Sequence, residues 1–246
     1  MAKTRDQLNF AFVQARRDQA IKLHEIICFE TSGNLGDDQV KVHDLLEIPV
    51  DSSALEGVDA LVIGGSGDYS VLDDVPNLDS LKSLVSEAAR RGLPIFGCCW
   101  GHQLLALLFG GTVIRDSDNR EIGTIEVLRT AESSGDLVFS ELPERFLAQA
   151  AHSDRVSILP MGAVNLAGTA KCPIQAFTFP GTGIYGTQFH PEMSKEDMLI
   201  RLEHYGENYV GGSEHAKRIA AGLKATPEAA ELIRTWIDKV VLPRAT

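Results

Sequence analysis

Two short runs in this 246-residue chain hold residue types that can break an amide bond. They are Gly97-Cys98-Cys99-Trp100-Gly101-His102-Gln103 and His190-Pro191-Glu192. A nucleophile on a sharp strand-to-helix turn needs small residues two places before and two after it, because the turn brings the two backbones close. Gly97 and Gly101 stand at those offsets around Cys99. The turn also sets Cys99 at a helix N-terminus, where partial positive charge favours an anionic sulfur. Cys98 is the rival nucleophile. Strand alternation points it to the opposite face, into the core, and only Cys99 has glycine at both offsets. Cys98 and Cys172 are therefore expected to be packing residues, and Cys28 has no active-site context.

A thiol nucleophile needs a base, and the base needs a group to orient it. His190 follows an expected strand at 185–189. Glu192, two residues on, faces the same way and can reach the ring, while Pro191 stiffens the turn. His24, His204 and His215 fall in expected helices and read as surface residues.

The third feature is Gly64-Gly65-Ser66-Gly67-Asp68, after an apolar run at 60–63. It opens like a dinucleotide-binding loop, but Ser70 stands where the third glycine belongs, and Asp73-Asp74 and Pro76 oppose an immediate helix. No lysine follows, which excludes a Walker loop. A glycine-rich turn that offers backbone N–H groups to an oxyanion fits better.

These runs need strands and helices to position them. Apolar runs bounded by turn signals alternate with amphipathic stretches, as in an α/β sheet. Strands are expected at 10–13, 40–44, 60–63 and 94–97, with helices at 18–29, 78–91 and 104–109. From 112 to 189 the pattern turns to short alternating pieces at 124–128, 174–179 and 184–189, which read as hairpins and sheet strands rather than βαβ units. Helices follow at 195–205, 214–223 and 227–241, with a break over 205–209 and Gly211-Gly212. No repeat or linker divides the chain, so a single domain over 1–246 is expected.

Composition narrows the partners. Thirty-four acidic residues against 23 basic ones give a formal charge of −11 without any Lys/Arg-rich block. Neither a nucleic-acid backbone nor an anionic membrane is therefore expected as partner. Residues 1–17 carry scattered charges and no apolar signal-peptide core, and the apolar run 104–109 is too short to span a bilayer. The four cysteines show no zinc spacing or disulfide framework, so a reducing, cytoplasmic setting is expected. No metal or nucleotide cofactor is called for.

Taken together, the motifs resemble the class I (triad) glutamine amidotransferase family. The pattern Gly-x-Cys-x-Gly-x-Gln is met by Gly97, Cys99, Gly101 and Gln103, and His-Pro-Glu by His190 to Glu192. The similarity runs over about residues 9–192 and includes Gly64-Gly65, Glu121-Ile122-Gly123, His152-Ser153-Asp154-Arg155-Val156 and Cys172-Pro173 with Gln175-Ala176-Phe177. These last pieces most resemble free-standing proteins similar to the glutaminase domain of GMP synthase.

The resemblance implies a flavodoxin-like three-layer fold with a mostly parallel central sheet, a smaller β-rich element at 112–189 and a C-terminal helical extension. It implies that Cys99 attacks the γ-carbonyl of glutamine, with His190 as base and Glu192 fixing its ring. The N–H groups of Gly65 and Trp100 would hold the oxyanion. Gln103 would contact the glutamine α-substituents, helped by Gly67, Ser153 and Asp154. Ser66 and Cys98 depart from the usual Pro and aliphatic residue, and residues 193–246 run longer than the family usually carries. Three functions compete: a glutaminase that passes ammonia to a partner synthetase on another chain, a self-sufficient γ-glutamyl peptidase, and a catalytically silent regulatory module.

Overall fold

The computed structural model describes residues 3–210 and 213–246. Its centre is a nine-stranded sheet whose inner parallel strands are apolar on both faces. The parallel part holds β1 (Phe10–Gln14), β2 (Val40–Asp44), β3 (Ala60–Ile63) and β4 (Ile95–Cys98). Apolar runs such as β1, β3 and β4 suit a sheet covered on both sides. Side-chain alternation then divides the core. Phe10, Phe12, Ala60, Val62 and Phe96 face one layer, while Ala11, Val13, Leu61, Ile63 and Ile95 face the other.

Helices α1 (Gln19–Gly33), α2 (Leu78–Arg90) and α3 (Trp100–Leu108) follow β1, β3 and β4. Asp18 caps α1 by accepting the Ile21 N–H, which satisfies a first-turn donor. In α2, Leu81, Leu84, Val85 and Ala88 recur at helical spacing and are all buried.

The segment after α3 is β-rich, as expected, but much of it extends the central sheet. It holds β5 (Thr112–Arg115), β6 (Glu121–Arg129), β7 (Arg145–His152), β8 (Asp154–Ile158), β9 (Val164–Gly168), β10 (Ala176–Phe179) and β11 (Ile184–Thr187). The order β2-β1-β3-β4-β11-β10-β9-β6-β7 is parallel from β2 to β11 and antiparallel beyond. β5 and β8 pair separately.

Three helices complete the chain: α4 (Lys195–Val210), α5 (Ser213–Gly222) and α6 (Pro227–Trp236), with a π-turn over Ile237–Val241. The break expected over 205–209 is absent, because those residues continue α4; Gly211 and Gly212 lie outside the described residues. One glycine, Gly206, weakens a helix by only about 1 kcal/mol, less than the packing of α4 returns. The tail does two jobs. α6 joins α1 in one core layer, where Trp236 is fully buried 5.3 Å from the Phe96 ring. α4 instead lies over the carboxyl ends of the strands.

Candidate active site

The site forms where ligands collect in open α/β sheets, at the carboxyl ends of the parallel strands. β3 delivers Gly64-Gly65, β4 delivers Cys99, β11 delivers His190 and β1 delivers Arg16.

Cys99 is one of three non-glycine residues with positive φ among the described residues, at φ 49° and ψ −96°. That conformation costs a side-chain-bearing residue of order 1–3 kcal/mol. The turn is pinned on both sides: the Cys99 N–H donates to Thr187 O at 2.7 Å, and the Gly101 N–H to Gly64 O at 3.2 Å. A Cβ on Gly101 would lie 2.3 Å from Ile63 O, and one on Gly97 2.7 Å from the Gly101 backbone. The two glycines are thus required by the close approach that the offsets predicted. His102, within the same motif, is no base. Burial draws its pKa down to about 3, and its ring packs 4.8 Å from Phe177.

His190 and Glu192 are brought together as expected, with Nδ1 2.7 Å from Oε1 and both side chains buried. Burial opposes the charge on each. For His190 the Glu192 carboxylate, together with the Cys98 and Cys99 sulfurs, outweighs that penalty and raises the imidazole pKa well above 6.5. For Glu192 the imidazolium outweighs it, and the carboxyl is held down at about 2. Nδ1–H is thereby committed to the carboxylate, which leaves Nε2 to handle protons.

Cys98 is more than packing. Its thiol lies 3.0 Å from Glu192 Oε2 and 3.4 Å from His190 Nδ1. Strand alternation does place Cys98 in the α1–α6 layer, but Glu192 enters that same layer. Burial together with the Glu192 charge pushes the thiol pKa far up, so Cys98 keeps its proton and donates a hydrogen bond to the carboxylate.

A cleft of about 220 Å³ opens in front of Cys99, lined also by Trp100, Gln103, Gly67, Ser153 and Asp154. Every residue expected to contact substrate therefore borders one space. Gln103 donates to Asp154 O at 2.8 Å and to Gln188 Oε1 at 3.0 Å. Gln188, fully buried, in turn points its amide nitrogen at Cys99 Sγ, 3.6 Å away. No motif announced Gln188; its position two residues before His190, on the same strand face, was the available signal. Behind the cleft, His152 is fixed by Glu121 at 3.2 Å, and Gln175 donates to the same carboxylate at 2.6 Å.

The two proposed oxyanion donors differ. Trp100 begins α3, so its N–H has no intrahelical acceptor. The Gly65 N–H, however, is donated to Glu25 Oε1 at 3.1 Å. Glu25 is held by Arg16 Nη2 at 2.7 Å, in an ion pair buried on both sides. In this conformation Gly65 serves Glu25, not the space beside Cys99.

Arg16, Glu25, Arg201 and Tyr205 escaped the sequence reading. Tyr205 of α4 stacks over Gly67, where a Cβ would lie 2.6 Å from the ring, and its hydroxyl lies 3.4 Å from Asp68 Oδ2. Arg16 Nη1 is 3.5 Å from the same hydroxyl. Among the described residues, three groups of His, Cys and carboxylate atoms come close enough to share a cation: His24–Cys28–Asp197, Cys98–His190–Glu192 and Glu121–His152–Cys172. Hydrogen bonds link members of each. No helix among the described residues is long and apolar enough to cross a membrane.

Comparison with known proteins points to one family. Residues 38–201 match the family model described as glutamine amidotransferase class-I. A glutamine-hydrolysing GMP synthase subunit from Archaeoglobus fulgidus is 32% identical over 158 residues, 64% of this chain and 79% of that protein. Its counterpart in Methanocaldococcus jannaschii is 36% identical over 124 residues, 50% of this chain and 64% of that protein. For the Bacillus cereus GMP synthase, 42% identical over 102 residues, the match spans 19% of that protein. In fold, a glutamine amidotransferase structure from Thermotoga maritima superposes with a TM-score of 0.70 at 24% identity, covering 94% of this chain and 98% of that one. With its model matched over two thirds of the sequence, the chain belongs to the class-I glutamine amidotransferase family.

Proposed function

We propose that the chain hydrolyses the side-chain amide of glutamine through a thioester on Cys99 and delivers the ammonia to a partner synthetase. The observation that carries this is the strained Cys99 turn facing an amino-acid-sized cleft with the His190–Glu192 pair alongside. Cys99 Sγ would attack the carbon of the side-chain carbonyl to give a tetrahedral oxyanion, whose collapse to the thioester breaks the C–N bond. His190 Nε2 would take the thiol proton and pass it to departing ammonia. Water then cleaves the thioester, with His190 as base, to give glutamate. Trp100 N–H supplies one oxyanion donor, and Gly65 N–H the second once it leaves Glu25. Gln103, Gly67, Ser153 and Asp154 would hold the α-amino and α-carboxylate groups.

Ammonia delivery rests on the relatives, named as GMP synthase subunits. A resting Gly65 N–H also suits a glutaminase that waits for a partner. The test measures ammonia release from glutamine by the isolated chain, with and without an ATP-dependent synthetase from the same genome. Slow hydrolysis alone that rises with the synthetase agrees with the reading. Fast cleavage of γ-glutamyl peptides without any partner would replace it with the second reading, a self-sufficient γ-glutamyl hydrolase, which one cavity behind His190 favours.

A further inference from the structure

Behind His190 lies a second, smaller cavity of about 30 Å³, roofed by α4. It shares Ser66, Gly67 and Ala151 with the cleft in front of Cys99. His190, Arg16 and Arg201 line only the rear cavity; Cys99, Gln103 and Asp154 line only the front one. In the thioester chemistry proposed above, the acyl group would sit with Cys99 and the departing amine would leave past His190.

The rear cavity is built for negative charge. Arg201 is 6% exposed, and its Nε and Nη1 have no hydrogen-bond partner among the described residues. A buried guanidinium in that state is costly, since desolvating an ion costs several kcal/mol unless a partner compensates. Burial and the neighbouring Arg16 charge lower the Arg201 pKa, while the carboxylates of Glu25 and Glu192 work the other way. Arg16 is already matched by Glu25 at 2.7 Å, and Glu192 by His190. One positive charge is left over, held by α4 beside the exit. Met193, Met198 and Leu202 supply apolar walls. A space that holds about two waters fits a carboxylate and little more.

We infer that the cavity behind His190 is a leaving-group subsite in which Arg201 binds a carboxylate, so that, beyond glutamine itself, the chain accepts γ-glutamyl amides of small amino acids in preference to those of neutral amines. The inference rests on the γ-glutamyl thioester chemistry proposed above. In that step the C–N bond breaks, the thioester forms, and His190 protonates an amine that carries its own carboxylate. The products after hydrolysis are glutamate and an amino acid.

The Cys99→Ala chain is titrated calorimetrically with γ-glutamylglycine and with γ-glutamylglycinamide, which differ in one carboxylate. A charge-assisted hydrogen bond corresponds to tenfold or more in affinity, on the order of the effects seen for such bonds. Binding of γ-glutamylglycine about tenfold tighter, with the preference lost in Arg201→Gln and largely kept in Arg201→Lys, supports the subsite. Equal affinities, or a preference that survives Arg201→Gln, overturn it. Acetate should compete with γ-glutamylglycine and not with the glycinamide; acetate binding without any peptide preference would make this a free-anion pocket and also overturn the inference. Kinetics with Cys99 intact separate the two levels. Glutamine cleaved without a carboxylate preference refutes the subsite alone, whereas no cleavage of any γ-glutamyl amide refutes the thioester reading beneath it.

Discussion

Replacing Glu25 by Gln should make the isolated chain a faster glutaminase. The resting structure commits the Gly65 N–H to the Glu25 carboxylate at 3.1 Å, and that carboxylate is fixed by Arg16 at 2.7 Å. A hydrogen bond to a charged acceptor contributes about 1.5–3 kcal/mol, and one to a neutral acceptor about 0.5–1.5 kcal/mol. The substitution keeps the shape and weakens the hold on Gly65 by about 1–1.5 kcal/mol, or roughly tenfold in the population with the N–H released. Full recovery of an oxyanion donor sets the ceiling at about 10²- to 10³-fold. The gain should appear in kcat with KM little changed, since the donor acts on charge that develops only in the transition state. Stability should fall at the same time, because Arg16 loses a buried counter-charge. Steady-state ammonia release, with circular dichroism as a fold control, reads the effect. A correctly folded Glu25→Gln chain that is no faster than the parent, or slower, would refute the idea that Glu25 withholds the donor.

His190→Ala should lose about 10²- to 10⁴-fold as a missing general base, and Glu192→Gln distinctly less; equal losses with the fold intact would contradict the division of roles. The pair also predicts a pH window for stability. Glu192, lowered to about 2 from 4.5, contributes fully above pH 4.5 and loses its contribution as pH falls through 2; His190, raised well above 6.5, contributes fully below 6.5 and loses it as pH rises through its folded value. Denaturant melts should therefore show the largest gap between parent and Glu192→Gln between pH 4.5 and 6.5, and a pH-independent gap would count against the coupling. In the tail, Trp236→Ala should cost about 3–5 kcal/mol, and truncation before Ser213, which removes α6, should abolish soluble expression; a stable, fully active truncation would show that α6 is dispensable.

The candidate site was legible in the sequence because its parts are local. Gly97 and Gly101 at fixed offsets, and Glu192 two residues from His190, are constraints imposed within one turn of chain. The strands were legible for the same reason: fully apolar runs such as 60–63 have few other uses. What stayed hidden depends on distant parts meeting. Arg16 and Tyr205 lie 189 residues apart in sequence yet approach to 3.5 Å. No local pattern says that α4 will cover the loop at Gly67, or that Glu25 of α1 will take the Gly65 N–H. The expected break over 205–209 failed on similar grounds, since tertiary packing overrode a weak local preference. Cys98 does pack in the core as read, but alternation gives a residue's face and not what else arrives there; Glu192 came to the same face.

The central claim is that Cys99 is the nucleophile, and covalent labelling tests it most directly. A diazo-ketone analogue of glutamine is incubated with the intact chain, and the adduct is mapped by mass spectrometry in the parent, Cys98→Ala and Cys99→Ala proteins. The front cleft offers Cys99 and holds Cys98 behind the triad, bonded to Glu192. One equivalent of label on Cys99, retained in Cys98→Ala and absent from Cys99→Ala, is the expected result. Label on Cys98, or undiminished labelling of Cys99→Ala, would contradict it.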